Sequence, residues 1–423
     1  MEQLIALRVG RAETGRALER VWSDGDAALV LPTGASERRT EALLEALRPA
    51  AVVTVGSDGR TERATRADAA PIDARVALVV ATSGSTGAPK GVELTHDALA
   101  ASVTASLARL GAVPGERFGL ALPTHHVAGI AVHLRARALG TAPVTASDTA
   151  GIGHLDVDHV ALVPTQLARL LELGAPVDRF ATILLGGAAP PPGLLARARA
   201  AGARIVTSYG MTETCGGCVY DGVPFDQVDV EVVDTDGPAG ETHPVRALPT
   251  GGIGRIRLRG PVLLHGYRTR TTDGRVASMP GVDADGWFTT DDLGRLLPAG
   301  GDDGAARPRL EVLGRADAML VSGGENVPIA AVTARLQSHP AVADAAVAAA
   351  DDPWWGQVPV AVIVPHDAAA VPNLEELRDH VRRDAPPAFA PARLHVVEAL
   401  PRDAMGKLPD DELQAMLRTL GEG

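Results

Sequence analysis

The sequence predicts an α/β protein: a large N-terminal domain of doubly wound sheets with a β-rich subdomain, then a small C-terminal α+β domain. Three observations carry this expectation. Apolar runs of strand length alternate with stretches of helical spacing between residues 76 and 208. From Asp229 onward the pattern turns to short strands broken by Gly, Pro and Asp, and the C-terminal stretch mixes strands with helices. At 423 residues the chain is also longer than the roughly 250–300 residues at which single cores stop growing, so two domains are expected.

The first informative element is the apolar strand beginning at Val76, which empties into Thr82-Ser83-Gly84-Ser85-Thr86-Gly87-Ala88-Pro89-Lys90. Gly84 and Gly87 let the backbone turn tightly and approach an anion, Thr82, Ser83, Ser85 and Thr86 offer hydroxyls, and Lys90 supplies a charge. This composition suits a polyphosphate, with an ordinary glycine turn as the alternative. It is not a Walker loop, because Pro89 stands where that motif's second glycine would be. Thr95 can cap a helix whose apolar positions Leu99, Val103, Leu107 and Leu110 recur at helical spacing before Gly111, which gives strand, loop, helix.

The alternation continues with strands at 159–163, 181–185 and 204–208 and helices at 165–173 and 192–201. In a parallel, doubly wound sheet ligands bind beyond the carboxyl ends of the strands, so the loops at 83–90, 186–190 and 209–214 are expected to converge there. Alternating Gly254-Arg-Ile-Arg-Leu-Arg259 reads as a strand of the β-rich subdomain, and the acidic stretch 298–307 as an exposed loop before a strand at 310–315. A boundary at 315–317 divides the chain into domains 1–315 and 316–423, the second with strands at 358–364 and 394–397 and helices at 374–383 and 411–420.

With 40 basic and 52 acidic residues the net charge is −12, which disfavours nonspecific attraction to nucleic acid or anionic membrane, so any anionic ligand must be held locally. No uninterrupted apolar run reaches the length of a membrane span, and the N-terminal Met-Glu-Gln-Leu-Ile-Ala-Leu-Arg lacks the pattern of a secretory signal. The expected compartment is the cytoplasm. Cys215 and Cys218 are spaced like a redox pair or half a zinc site, but two further ligands of suitable spacing are missing nearby.

Further segments follow the first loop in order: Leu185-Gly-Gly-Ala188, Ser208-Tyr-Gly-Met-Thr-Glu-Thr214, Gly286-Trp-Phe-Thr-Thr-Asp-Asp-Leu-Gly294, the stretch 313–326 containing Gly314-Arg315-Ala316-Asp317 and Ser322-Gly-Gly-Glu-Asn326, and Pro401-Arg-Asp-Ala-Met-Gly-Lys407. Together these resemble the adenylate-forming superfamily of acyl-CoA synthetases, nonribosomal adenylation domains and luciferases, over nearly the whole chain from Val76 onward. The resemblance implies that 83–90 holds the ATP β- and γ-phosphates, with Thr86 and Lys90 as direct contacts. Gly186, Gly187 and Ala188 would line the adenine slot, and Tyr209, followed by Gly210, would stack on the base. Thr212 would bond the α-phosphate, Glu213 would hold Mg²⁺, Asp292 would bond the ribose with Arg315 nearby, and Lys407 would bridge carboxylate and α-phosphate. One departure concerns Thr290-Asp291-Asp292, where the superfamily has Thr-Gly-Asp, so that either aspartate could face the ribose.

The implied reaction converts a carboxylic acid to an acyl-adenylate with release of pyrophosphate, after which the thiol of coenzyme A attacks. Asp317 matches the hinge about which the C-terminal domain would rotate between the two steps, exchanging Lys407 for the 322–326 loop. The short N-terminal region and the Cys215-Gly-Gly-Cys218 stretch most resemble the 2-succinylbenzoate–CoA ligases of menaquinone biosynthesis. On that likeness, Pro123-Thr-His-His-Val-Ala-Gly129 matches the acyl-pocket segment, with His126 as a lining residue. Arg135 is a bidentate donor for a second substrate carboxylate or else a helix-surface arginine. The implied partners are a small carboxylic acid, ATP, Mg²⁺ and coenzyme A, with no nucleic acid and no membrane insertion; a homo-oligomer is compatible with the sequence. Competing readings are a CoA ligase for another aromatic or medium-chain acid, an enzyme that loads a separate carrier protein, and a noncatalytic nucleotide-binding protein.

Overall fold

The computed structural model of the protein describes residues 2–56, 60–83, 89–190, 192–234, 246–299, 307–316, 319–323, 325–383, 385–402 and 408–421. Packing divides the chain into two units. The first comprises Met1–Gly187, Ala201–Asp229 and Leu258–Phe288, and the second Ala188–Ala200, Val230–Arg257 and Thr289–Gly423. The fold class is the expected α/β arrangement. No helix among the described residues is long and apolar enough to cross a membrane.

The first unit holds two sheets. Across the eight-stranded one run Val276–Pro280, Gly266–Arg270, Pro89–Thr95, Val76–Ser83, Ala27–Val30, Leu4–Arg8, Ala51–Val55 and Thr61–Thr65. Its centre is parallel, with Leu4 beside Ala27 and Ala28 beside Leu78, and these strands are buried along their length, as expected where both faces are covered. Val76–Ser83 then turns back antiparallel on Pro89–Thr95, with Thr82 opposite Lys90 and Ser83 opposite Pro89. Pro89 and Lys90 therefore belong to a strand rather than to a loop, and the expected direct passage from loop to helix is corrected. Lys90 to Thr95 form a strand because Val92 and Leu94 alternate with residues of the opposite face, and only then does the helix His96–Leu110 begin. Thr95 caps it by accepting from Ala98 N at 3.1 Å, and Gly111 ends it at φ 65°.

The opposite face of this ribbon is closed by a buried ion pair. Gly91 lies opposite Arg268, and Glu93 opposite Gly266. The Arg268 guanidinium, 1% exposed, donates to the carbonyls of Leu47, Pro71 and Ala70 at 2.7, 2.8 and 2.9 Å and stands 3.7 Å from the equally buried Glu93. Ser278 Oγ donates to the same carboxylate at 2.5 Å. A side chain at Gly91 would come within 2.6 Å of Val79 and 3.0 Å of Leu47, so glycine opposite Arg268 avoids a clash with the core.

The seven-stranded sheet runs Val223–Pro224, Gly216–Tyr220, Ile205–Met211, Thr182–Leu185, His159–Leu162, Phe118–Leu120 and Val144–Thr145. The strands and helices expected between 159 and 208 are present, with Pro164–Glu172 and Pro192–Ala200 as the helices. The 209–214 segment is not all loop: the strand continues to Met211, because Gly216–Tyr220 pairs with it antiparallel. Gly210 sits opposite Gly217, and a side chain there would meet Gly216 O at 2.0 Å.

In the second unit a five-stranded sheet is ordered Arg246–Ala247, Asp229–Asp234, Gly254–Arg259, Phe288–Leu297, Arg309–Arg315, which is the expected β-rich part. Most of the 298–307 stretch lies outside the described residues. A further sheet contains Glu325–Pro328, Met319–Ser322, Gly356–Pro365 and Val342–Asp352, with Arg393–Val396 parallel to Gly356–Pro365. Ala345 and Val347 face a core shared with Leu336, Leu377 and Val381 of the helices Ile329–Gln337 and Leu374–Arg382. Ala346 and Ala348 face Leu413 and Leu417 of Asp410–Thr419, so strict alternation places helices on both sides.

Replacing Arg268 by methionine leaves Glu93 buried without its cation and three carbonyls without their donor. A loss of about 3–5 kcal/mol of stability is expected, measured as a lowered urea midpoint of the first unit's unfolding transition.

Candidate active site

The outer face of the same ribbon assembles the charged groups. Thr82 and Lys90 are directly opposite, and Tyr267 is opposite Val92, two residues from Lys90, so all three side chains leave one face. The Lys90 ammonium lies 4.0 Å from the centroid of the Tyr267 ring. The Tyr267 hydroxyl donates to Glu213 Oε1 at 3.0 Å. Among the described residues Thr82 Oγ1 is buried and has no hydrogen-bond partner, a polar atom that suits a ligand oxygen. Gly84, Ser85, Thr86 and Gly87 lie outside the described residues; Ser83 closes the strand.

Thr212 and Glu213 sit on the short turn Thr212–Thr214 that follows Met211. Thr214 fixes this turn from within: its buried hydroxyl accepts from Met211 N at 2.9 Å and donates to Gly216 O at 2.5 Å. Two successive amides tie the turn to the ribbon, since Leu264 N donates to Glu213 O and His265 N to Glu93 O, both at 2.8 Å. The phosphate-type hairpin and the Thr212–Glu213 turn belong to different sheets, and this joint brings them together.

On the neighbouring strand, Leu185 pairs with Thr207, which leaves Gly186 beside Ser208 and Gly187, at φ 86°, open beyond the strand end. Tyr209 and Gly210 lie within the adjoining strand, Tyr209 half-buried and Gly210 exposed. Ala188 is exposed and belongs to the second unit. Cys215 and Cys218 are free, buried thiols whose burial pushes both up, Cys218 to about 12, so they act as small neutral packing groups.

His126 occupies the N-terminal flank of the helix Val127–Ala138, its ring centroid 4.3 Å from that of His125. A side chain at Gly129 would stand 2.2 Å from Pro123 O, so the helix begins flush against the 123–126 segment. Burial, reinforced by His126 and Arg39, pushes the His125 imidazole down to about 4. Arg135 does not reach an open wall. It is 3% exposed, donates from Nε to Ser106 Oγ at 2.8 Å and approaches the Tyr220 hydroxyl at 3.4 Å. This corrects both readings of Arg135, as a carboxylate donor and as a surface residue: its guanidinium is taken up by hydroxyls inside the first unit.

In the second unit Asp292 lies opposite Arg315 across the antiparallel pair Phe288–Leu297 and Arg309–Arg315. The extra carboxylate, Asp291, is held by Arg255 at 2.6 Å and by Arg315 at 3.5 Å. Asp292 N donates to Thr290 Oγ1 at 3.0 Å, and that hydroxyl in turn donates to Ile256 O at 2.9 Å, which fixes the backbone on which the two aspartates alternate. Asp317 and Lys407 lie outside the described residues.

Tyr267 is the site residue that sequence reasoning missed. Its only local signal is Gly266-Tyr267-Arg268, in a chain with three tyrosines, and the partners that make it part of the site, Lys90 and Glu213, are distant in sequence, with Val92 opposite it on the ladder.

The chain matches the AMP-binding enzyme family over residues 5–268 and the AMP-binding enzyme C-terminal domain over residues 331–407. It is 40% identical to a probable 2-succinylbenzoate–CoA ligase of Mycobacterium tuberculosis, covering 96% of this chain and 95% of the relative. It is 32% identical to the 2-succinylbenzoate–CoA ligase of Bacillus subtilis over 80% of this chain and 68% of that one. Among solved structures it is similar to the o-succinylbenzoate CoA synthetase of Bacillus subtilis in complex with its acyl-adenylate intermediate, with a TM-score of 0.77, 28% identity, and 97% and 88% of the two chains covered. The fold is shared as well with ATP-bound MatB of Rhodopseudomonas palustris, at a TM-score of 0.81 and 22% identity over 99% of this chain and 90% of that one.

The depressed His125 gives a pH signature. Between its ordinary value of 6.5 and about 4 the unfolded chain binds a proton that the folded chain refuses, so this residue's contribution is complete above 6.5 and is lost as pH falls toward 4. His125→Gln lacks that contribution, so the difference in melting temperature between wild type and variant is expected to change with pH across this window, the wild type losing stability relative to the variant as pH falls from 6.5 toward 4. A difference independent of pH would place the titration elsewhere.

Proposed function

We propose that this chain, which belongs to the AMP-binding enzyme family, is an AMP-forming acid–thiol ligase that joins 2-succinylbenzoate to coenzyme A with ATP, forming 2-succinylbenzoyl-CoA, AMP and diphosphate. The observation that carries the choice of acid is the end-to-end correspondence with the mycobacterial probable 2-succinylbenzoate–CoA ligase. The product serves menaquinone biosynthesis, and the proposed compartment is the cytoplasm.

A carboxylate is a poor electrophile. Its oxygen first attacks the α-phosphorus of ATP and diphosphate leaves; the thiol sulfur then attacks the acyl carbonyl and AMP leaves with the former carboxylate oxygen. In the first step the 82–90 segment receives the β- and γ-phosphates, where the Thr82 hydroxyl, without a hydrogen-bond partner among the described residues, and the Lys90 ammonium fit anionic oxygens. Glu213 would hold Mg²⁺, because Tyr267 engages one of its oxygens and a hard cation prefers such carboxylates. When bound, Mg²⁺ neutralises phosphate charge. Thr212, on the same turn, bonds the α-phosphate, and Gly186, Gly187, Ala188 and Tyr209 receive the adenine.

Asp292, the position that matches the superfamily's aspartate, is assigned to the ribose, with Arg315 opposite it across the strand pair. Lys407 bridges the reacting carboxylate and α-phosphate, and His126 lines the acyl pocket. The second domain, 316–423, moves about Asp317 between the two steps.

The test is Mg²⁺-ATP-dependent pyrophosphate release with 2-succinylbenzoate, benzoate and octanoate, with mass detection of each thioester. Preference for 2-succinylbenzoate is expected; preference for another acid keeps the mechanism and discards the acid, and no release with any acid overturns the reading. Lys407→Ala should slow pyrophosphate release roughly 10²–10³-fold, the effect of removing one preorganised charge-stabilising group. Asp317→Pro should spare adenylate formation and slow thioester formation, whereas equal losses in both steps would remove the hinge.

A further inference from the structure

Beyond the residues assigned to the reaction, we propose that Tyr267 is a positioning residue that holds Glu213 and Lys90 apart and oriented before the metal–nucleotide complex arrives. This rests on the reading of Lys90 as a phosphate ligand and Glu213 as a metal ligand. One side chain engages both charged groups, its hydroxyl donating to Glu213 Oε1 at 3.0 Å and its ring lying 4.0 Å from the Lys90 ammonium. The three residues come from three segments: the strand Pro89–Thr95, the turn Thr212–Thr214 and the strand Gly266–Arg270.

The backbone leaves little freedom for this placement. Tyr267 is locked opposite Val92 by the antiparallel ladder. A side chain at the preceding Gly266 would lie 2.7 Å from both Met279 O and Ser278 Oγ, so the strand packs closely on Val276–Pro280. Leu264, three residues earlier, binds the Glu213 carbonyl through its amide at 2.8 Å. The chain therefore delivers Tyr267 to Glu213 by a backbone tether as well as by its side chain.

Opposite charges on neighbouring segments attract more strongly where water is scarce, and a direct Lys90–Glu213 pair would occupy the groups that ligand binding needs. Tyr267 gives each charge a different partner. Its hydroxyl fixes one carboxylate oxygen of Glu213 and leaves the other for a cation. Its ring face holds Lys90 by a cation–π contact, weaker than an ion pair with phosphate, so the ammonium transfers readily to an incoming phosphate oxygen.

Two substitutions separate these roles. Tyr267→Phe keeps the ring and loses the hydroxyl, so the Mg²⁺ activation constant in the pyrophosphate assay should rise roughly tenfold, the size of a lost hydrogen bond to a charged group, while binding of ATP in EDTA stays at the wild-type level. Tyr267→Leu loses both contacts and should additionally weaken ATP binding in EDTA several-fold. Glu213→Gln and Lys90→Ala are the controls for the underlying reading. If they leave Mg²⁺ activation and ATP binding unchanged, the assignment of those ligands falls. If they act as expected but Tyr267→Phe leaves the Mg²⁺ constant unchanged, or lowers kcat alone, the positioning role is overturned; the phenylalanine variant decides this even where the leucine variant fails to fold.

Discussion

The guanidinium of Arg268 fixes the register on which the site depends. It spans from the strand Gly266–Arg270 to the carbonyls of Leu47, Ala70 and Pro71, and stands beside Glu93 on the next strand. Burial pushes it down from its ordinary value, but the facing carboxylate and the three carbonyls keep a buried cation tolerable. Side chains alternate with a period of two, so fixing Arg268 and Glu93 inward forces Tyr267, Val92, Lys90 and Thr82 to the other face. A slip of one residue would exchange the two faces and take the Arg268 guanidinium away from its three carbonyls and Glu93. The ion pair thus contributes specificity of register to a catalytic face that it never touches.

A second device holds the other wall of this unit. On the helix His96–Leu110, Ser102, Ser106 and Arg109 share one face by their spacing, and all three bond the Gly216–Tyr220 strand or its flanks. Ser102 donates to Cys215 O at 3.3 Å, Ser106 meets the Tyr220 hydroxyl at 2.7 Å, and Arg109 donates to Pro224 O at 2.9 Å. Arg135 joins at Ser106 from the following helix. The helix emerges directly from the phosphate-type hairpin, whereas the strand it grips leads back through Cys215 to Glu213. Both routes from Lys90 to Glu213, one through the Leu264–His265 amides and one through this polar stripe, are therefore made of hydrogen bonds rather than loose loop contacts.

Much of this architecture was legible in the sequence because it rests on local rules. The Thr95 cap, the Gly111 stop, the alternating strands and helices from 159 to 208 and the C-terminal strands and helices near 358–364, 374–383, 394–397 and 411–420 all follow from patterns within a dozen residues. The strand Pro89–Thr95 was hidden, since Pro89 and Lys90 read as loop until Val76–Ser83 is present to pair with them. Arg135 was misplaced for a related reason: an arginine on an apolar helix reads as exposed, and only the hydroxyls of Ser106 and Tyr220, distant in sequence, make its burial possible. Tyr267 escaped because a strand residue's face is set by its neighbours across the ladder, which the local sequence does not name.

The doubled aspartate at 291–292 shows how such context resolves a choice that composition leaves open. Adjacent strand residues point to opposite faces, so two neighbouring carboxylates cannot serve one ligand equivalently. Arg255 and Arg315 collect Asp291, and the buried Thr290 hydroxyl fixes the backbone between them. Where the superfamily pattern has glycine, this chain has therefore added a carboxylate that pairs with Arg255 and Arg315. That substitution changes the electrostatics around Arg315, which stands opposite Asp292 and now shares its charge with Asp291.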